Sequence, residues 1–282
     1  MKKLALTALV LGSLALTACG DNTAKQNQTA SPATLKIATE GAYAPFNYTN
    51  NDGSLAGFDV DIANALCDKM AVKCQIEAQE WDGIIPALKT GKFDAIVSAM
   101  SVTPERSEQV SFSEPYFVNT LVFLAKNDST FDPTKADDIK ATKIAAQGST
   151  ISSQWLTDTY PNVQVQLYGT LDNAFLDLGN DRVGAMISDK LPALTWLKSD
   201  LGKNFSIKGD EIDINDKFAV AVNKGNDELL GKFNKALADI KADGTYDKIV
   251  VKHFGEEMLN KTDTPADSNA KTDAPADPKA QK

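Results

Sequence analysis

Hydrophobic and polar positions alternate along the chain with two different periods. Residues 35–39 read as a strand, and Glu40 to Phe46, with Gly41 and Pro45, as a loop off its C-terminal end. Asn51-Asp52-Gly53 is a turn signal. Gly57 then leads into a helix over about 59–70, where Ile62, Leu66 and Met70 share a face with Ala63 and Cys67 beside them. Asp59 and Asp61 near its start and Lys69 near its end match the helix dipole. A strand near 74–78, a helix over about 82–90 closed by Gly91, and a buried strand at 93–97 come next. Thr103 is a good N-cap and Pro104 suits the first helical position, so another helix opens there.

Residues 116–124 are an extended apolar run that can cross between two lobes. A second alternation follows, with strands at 143–146, 163–167 and 183–187 and helices from 150, over 171–178 and over 191–198. Residues 217–222 read as a return strand. Helices over 227–242 and 245–254, with Gly244 between them, finish the pattern and are expected to rejoin the first lobe. Strand–helix alternation of this kind argues for an α/β fold with ligands at the C-terminal ends of strands. Two such units joined by two extended crossings imply a two-lobed protein with a cleft.

The ends of the chain have a different character. Of its 282 residues, Lys2-Lys3 and the apolar 4–16 have the form of an export signal, too short for a membrane span. The signal ends Leu16-Thr17-Ala18-Cys19, which resembles the lipobox of bacterial lipoproteins, where the Cys carries a diacylglycerol. Ordinary cleavage near Ala18, with Cys19 incidental, is the competing reading. The expected organisation is a signal peptide (1–18), a lipidated Cys and flexible tether (19–33), a first lobe (34–117 and 218–258), a second lobe (118–217) and a disordered tail (259–282). Net charge is −9, and −11 once Lys2 and Lys3 leave with the signal, which argues against nucleic acid as a partner. An exported chain with two further cysteines, Cys67 and Cys74, is expected to join them in a local disulfide. One His and so few thiols offer no metal constellation, and no cofactor is implied. His253 is expected in packing or at the surface.

Residues 98–106, Ser-Ala-Met-Ser-Val-Thr-Pro-Glu-Arg, carry the most pointed chemical signal. Arg106 falls in the first turn of a helix, where the dipole disfavours a cation. A carboxylate ligand held by two parallel hydrogen bonds would offset that placement. The competing reading is a surface Arg paired with Glu105 or Glu108.

Gly57-Phe58-Asp59-Val60-Asp61-Ile62-Ala63, continuing to Leu66, Cys67 and Met70, resembles the signature of family 3 extracellular solute-binding proteins, the polar amino-acid receptors of bacterial ABC importers. Tyr43-Ala-Pro-Phe46, Trp81-Asp-Gly-Ile-Ile-Pro86, Gln147-Gly-Ser-Thr150 and Asp243-Gly-Thr-Tyr246 extend the resemblance over residues 35–254. Within the family the chain is most similar to lysine/arginine/ornithine, histidine and opine receptors, whose disulfide matches Cys67–Cys74. The resemblance implies a type II periplasmic-binding-protein fold and a monomer that closes over its ligand. Arg106 would take the α-carboxylate, helped by the helix start at Gly148-Ser149-Thr150, with Ser149 or Thr150 otherwise only an N-cap. Asp189 would meet the α-ammonium; its alternative is a plain N-cap. Ser98 and Ser101 flank the same corner, and Ala99 stands where some relatives have a second Ser. Tyr43 and Trp81 would sandwich the side chain, Trp81 otherwise being core. Glu40 would face a distal cation, and Ile151 stands where a lysine/arginine receptor can use Gln.

The implied function is a membrane-anchored receptor, in the periplasm or at the cell surface, that delivers a basic amino acid to an ABC permease. A glutamine or opine receptor is the alternative within the class. A dehydratase-like enzyme is a rival on the same fold, but no Gly-x-Ser-x-Gly elbow or His-based triad is present. Nor is there a GxxxxGK[ST] loop, so the chain is not itself the ATPase. A sensor that presents its closed form to a membrane protein is a third reading.

Overall fold

A computed structural model describes residues 34–259. The expected signal peptide, Cys19, the tether and nearly all of the expected tail lie outside the described residues.

The first part of the chain runs β1 (Thr34–Thr39), β2 (Ala42–Tyr43), β3 (Asn47–Thr49), β4 (Leu55–Ala56), α1 (Phe58–Met70), β5 (Lys73–Ala78), α2 (Trp81–Lys89), β6 (Ala95–Ile96) and α3 (Pro104–Gln109). The long strand β7 (Val110–Lys126) leads to α4 (Ala136–Ala141), β8 (Ile144–Gln147), α5 (Ile151–Thr159), β9 (Val165–Tyr168), α6 (Leu171–Gly179), β10 (Ala185–Asp189) and α7 (Lys190–Leu197). A second long strand, β11 (Phe205–Asn223), brings the chain back to α8 (Asp227–Ala242) and α9 (Thr245–Phe254).

Eight strands form one sheet in the order β5-β1-β6-β11-β7-β10-β8-β9. At one end β5, β1 and β6 are parallel; at the other, β10, β8 and β9 are parallel. Between them β7 and β11 pair antiparallel, from Phe205 opposite Lys126 to Asn223 opposite Val110. This ribbon is the pair of crossings expected from the sequence, but both strands are longer than their apolar cores at 116–124 and 217–222. The extra length of β11 includes the charged stretch around Asp210, Glu211 and Asp213, where the register shifts and the side chains are exposed. Its polarity hid it from a hydrophobic pattern. The expected loop at 40–46 contains β2, and β3 and β4 flank the expected turn at 51–53, together forming the small antiparallel sheet β2-β3-β4. Helix α4 was also not legible, because only Ile139 in it is buried.

Apolar stripes explain the packing. In α1, Ile62 and Leu66 are buried against Phe233, Leu237 and Ile240 of α8 and Tyr246 and Val250 of α9. The last two helices thus pack on α1. Phe123, Ile139, Ile144, Leu156 and Ile187 form a separate cluster in the far half. Each such side chain contributes about 1.5–3 kcal/mol on full burial. Cys67 of α1 and Cys74 of β5 are disulfide-bonded, as expected.

The start of α1 is held from outside. Phe58 N–H donates to the Pro45 carbonyl and Asp59 N–H to that of Phe46, at 3.1 and 2.7 Å. These loop carbonyls satisfy amides that no helical partner can reach. The close approach requires Gly57: its φ is 119°, and a Cβ there would lie 2.3 Å from the Phe46 oxygen. Gly57→Ala is expected to cost roughly 3 kcal/mol or more, from strain and backbone displacement; an unchanged urea midpoint would contradict this packing. Replacing both Cys67 and Cys74 by Ser, which opens a crosslink seven residues apart, should lower stability by about 2.5 kcal/mol on loop entropy, read from the same titration.

Candidate functional site

Four strand ends of the sheet converge on one cavity. Thr39 ends β1 and is followed by Glu40; β6 runs into Ser98, Ala99 and Ser101; β8 ends at Gln147; β10 ends at Asp189. Helix α2 begins with Trp81, and α3 carries Arg106. All of these except Thr39 line the cavity, together with Tyr43, Thr150 and Ile151. Every residue expected from the sequence is present except Ser149, whose contribution is a backbone carbonyl.

Polar contacts bridge the two halves of the sheet across this cavity. Arg106 Nη2 and Trp81 Nε1 both donate to the Ser149 carbonyl, at 2.9 and 3.1 Å. Tyr43 OH donates to Asp189 Oδ2 at 2.5 Å, and Gln147 Nε2 to Glu40 Oε1 at 2.7 Å. The enclosed space is about 10 Å³, on the order of a single water. An amino acid enters only if the halves separate.

Arg106 is held at both ends of its guanidinium. Nη1 donates to the Ser101 carbonyl at 2.8 Å, and the group sits 5.1 Å from the centre of the Trp81 ring. Pairing with Glu105 or Glu108 does not occur among the described contacts. Thr103 caps α3 as expected, accepting from the Arg106 amide. Trp81 combines two roles that the sequence left as alternatives, because it lines the cavity and also packs with Ile84, Leu88 and Phe93. Asp189 occupies the N-cap position of α7 without capping it through its side chain, which turns to Tyr43 instead. Thr150 does cap α5, in a reciprocal pair with Ser153. His253 packs edge-on to Phe58, with Nε2 2.6 Å from Asp61.

Burial sets the electrostatics. It pushes Glu40 up to about 7, against the opposing Gln147 hydrogen bond, and nearby Asp172 and Asp82 push the same way. Both charged neighbours acting on Glu40 are acids. Burial also raises Asp189, as does the neighbouring Asp216, while Tyr43, Asn119 and Arg106 oppose the rise. Asp216 is itself raised by burial, despite hydrogen bonds from Asn119 and Ser101. The cavity thus has two ends: Arg106 with Asp189 at one, and Glu40 among acids at the other.

Ala99 and Ser149 both adopt the left-handed conformation, with φ of 44° and 58°. Such placements cost about 1–3 kcal/mol each and cluster at functional sites. Ala99 is held there by its amide, which donates to Tyr116 OH at 3.1 Å. Tyr116 OH in turn donates to Asp59 at 2.8 Å.

Gln147, Asp172 and Asp216 were not expected here. Gln147 had a readable signal, as the one polar residue closing the apolar strand Ile144–Gln147. Asp216 and Asp172 had none, since their positions depend on how β11 and α6 approach the cleft. Among the described residues no cluster of His, Cys, Asp and Glu fits a metal ion, and no helix is long and apolar enough to cross a membrane.

The profile of the bacterial extracellular solute-binding proteins, family 3, matches residues 35–256. The L-arginine-binding protein of Pseudomonas aeruginosa is 38% identical over 265 residues, 92% of this chain and 98% of that one. ABC transporter arginine-binding protein 1 of Escherichia coli is 37% identical over 253 residues, 88% of this chain and 97% of that one. Among solved structures, an ancestral arginine-binding protein bound to glutamine is 37% identical, with a TM-score of 0.74 over 79% of this chain and 99% of that one. The two-lobed α/β architecture, the bridged cleft at the strand ends and the match across almost all described residues agree: this chain belongs to family 3 of the bacterial extracellular solute-binding proteins.

Proposed function

We propose that this protein is the receptor of an ABC importer for a basic amino acid: arginine, ornithine, lysine or histidine. The observation that carries the reading is the two-ended cavity. Arg106 and Asp189 offer opposite charges to an α-carboxylate and an α-ammonium. Glu40, buried with only acids as charged neighbours, suits a distal cation and would be left unpaired by an apolar side chain. Kinship with proteins named for arginine binding supports arginine foremost.

The mechanism is an exchange of partners. As the halves part, Arg106 leaves the Ser149 carbonyl and Asp189 leaves Tyr43. The ligand's carboxylate and ammonium then take those places, and closure over the ligand presents the form that the permease accepts. Ser98, Ala99, Ser101 and Thr150 shape the corner around the α-groups, while Tyr43 and Trp81 wall the side chain. The lipobox-like Leu16-Thr17-Ala18-Cys19 supports a lipid anchor that keeps the receptor in the periplasm or at the cell surface. Names of relatives as binding proteins, and a cavity whose acids serve the ligand's charges, favour a receptor over an enzyme.

Calorimetry on protein refolded to remove carried-over ligand tests the reading. Tight binding of one or more cationic amino acids is expected, weakened roughly a hundredfold or more by Arg106→Ala and at least about tenfold by Glu40→Gln, as for lost charge-assisted hydrogen bonds. Binding of glutamate alone would overturn it.

The pH dependence has a definite sign. A cationic ligand favours ionised Glu40, so binding at pH 6–7 releases protons and affinity falls as pH drops through about 7. From pH 8 to pH 6 the ionised fraction of such a group falls about tenfold, and arginine affinity with it; Asp189, also raised, adds in the same direction. Titrations in buffers of different ionisation enthalpy would read the proton release directly. A second reading, glutamine as ligand, draws on the same property, since Glu40 protonated near neutrality can face a neutral amide. Glutamine affinity should then fall less toward pH 6 than arginine affinity, keeping only the part due to Asp189.

A further inference from the structure

Gln147 is the polar cavity residue that the exchange above leaves unused, and it has an unmet requirement. It is 1% exposed. Its side-chain nitrogen has two acceptors, Glu40 Oε1 at 2.7 Å and the Gly169 carbonyl at 3.4 Å. Those two oxygens fix the orientation of the amide. Its Oε1 is then buried with no hydrogen-bond partner. An orphaned buried carbonyl costs on the order of 1–3 kcal/mol, so a ligand N–H that satisfied it would recover that cost.

The surroundings specify the donor. One oxygen of Glu40 is engaged by Gln147 Nε2, and among the described residues the other has no hydrogen-bond partner. Ile151, the apolar neighbour in the lining, offers no side-chain hydrogen bond. Asp172 and Asp82 add negative potential. Acceptors on two side chains that touch, one a carboxylate and one an amide carbonyl, match a planar group with parallel N–H donors. A guanidinium has that geometry, whereas the three donors of an ammonium diverge tetrahedrally and fit such a pair less well.

We infer that Gln147 is a specificity-determining residue: its Oε1, with the open Glu40 oxygen, accepts from the distal N–H groups of the ligand and selects a guanidinium over an ammonium. The inference rests on the proposed basic-amino-acid receptor and narrows its substrate class. It also assigns the distal polar contact that Ile151 cannot make.

The test is calorimetry of the unaltered protein and Gln147→Met with arginine and lysine, at pH 7 and pH 8.5. Met keeps the length and burial of the side chain, and thermal melting checks folding. The arginine-to-lysine affinity ratio is taken within one protein, so a uniform loss of folded molecules cancels. The expected result is arginine binding weakened tenfold to a hundredfold and lysine binding weakened less than threefold, with the deficit persisting at pH 8.5. Glu40→Gln, in contrast, should weaken both ligands. An unchanged ratio in Gln147→Met overturns the role of Gln147 while leaving the receptor reading intact. A deficit that vanishes at pH 8.5 also overturns it, because Gln147 then acts only by keeping Glu40 ionised. Failure of the unaltered protein to bind either ligand overturns the role of Gln147, and failure to bind ornithine and histidine as well overturns the receptor reading.

Discussion

A carboxylate with no solvent exposure holds the cleft together. Asp59 accepts from Asn47 Nδ2 at 2.7 Å and from Tyr116 OH at 2.8 Å. Asn47 passes the connection to the Gly41 amide, and Tyr116 passes it to the Ala99 amide. Gly41 follows Glu40, and Ala99 lies between Ser98 and Ser101, so one buried acid sets two of the loops that line the cavity. Burial raises Asp59 to about 6, while hydrogen bonding by Asn47, Tyr116 and the Ala99 backbone resists the rise. Without those donors the site would carry a bare buried charge, which proteins do not tolerate. The network is thus stable only as a whole, which ties the geometry of the cleft to the packing of α1.

A balance of small energies lets the cleft work. Four direct hydrogen bonds join the two halves across the cavity. Three of them involve Arg106, Asp189 or Glu40; at about 1.5–3 kcal/mol for a bond to a charged group and 0.5–1.5 for the fourth, the total is roughly 5–10 kcal/mol. A ligand displaces them by offering its own charged groups to the same residues. The ribbon of β7 and β11, paired from Phe205 to Asn223, is far more extensive and is backed by Phe117 stacked on Phe218 at 5.8 Å between ring centres. The halves can therefore part at the cavity while the crossings stay paired.

The acidic end of the cavity is an unfavourable arrangement until something cationic arrives. Glu40 is buried beside Gln147, with Asp172 and Asp82 as further acids. Such a site gains selectivity from its own instability, because a ligand without a distal donor leaves the acid desolvated and unpaired.

Local patterns in the sequence determined a great deal. The strand–helix alternation, the two crossings, the disulfide partners and the loops carrying Glu40, Tyr43, Ser98, Arg106 and Asp189 follow from hydrophobic periodicity, capping residues and motif spacing. These depend on neighbours a few residues apart, which a sequence displays. Tertiary structure alone decided what each residue faces. It turned Asp189 from its own helix to Tyr43, placed a single Ser149 carbonyl under both Arg106 and Trp81, and brought Asp216 of β11 beside Asn119 and Ser101. It also left Gln147 Oε1 without a partner. Those outcomes depend on pairs separated by 43 to 146 positions, and on burial, which is set by everything that packs around a group rather than by the residues beside it in the chain.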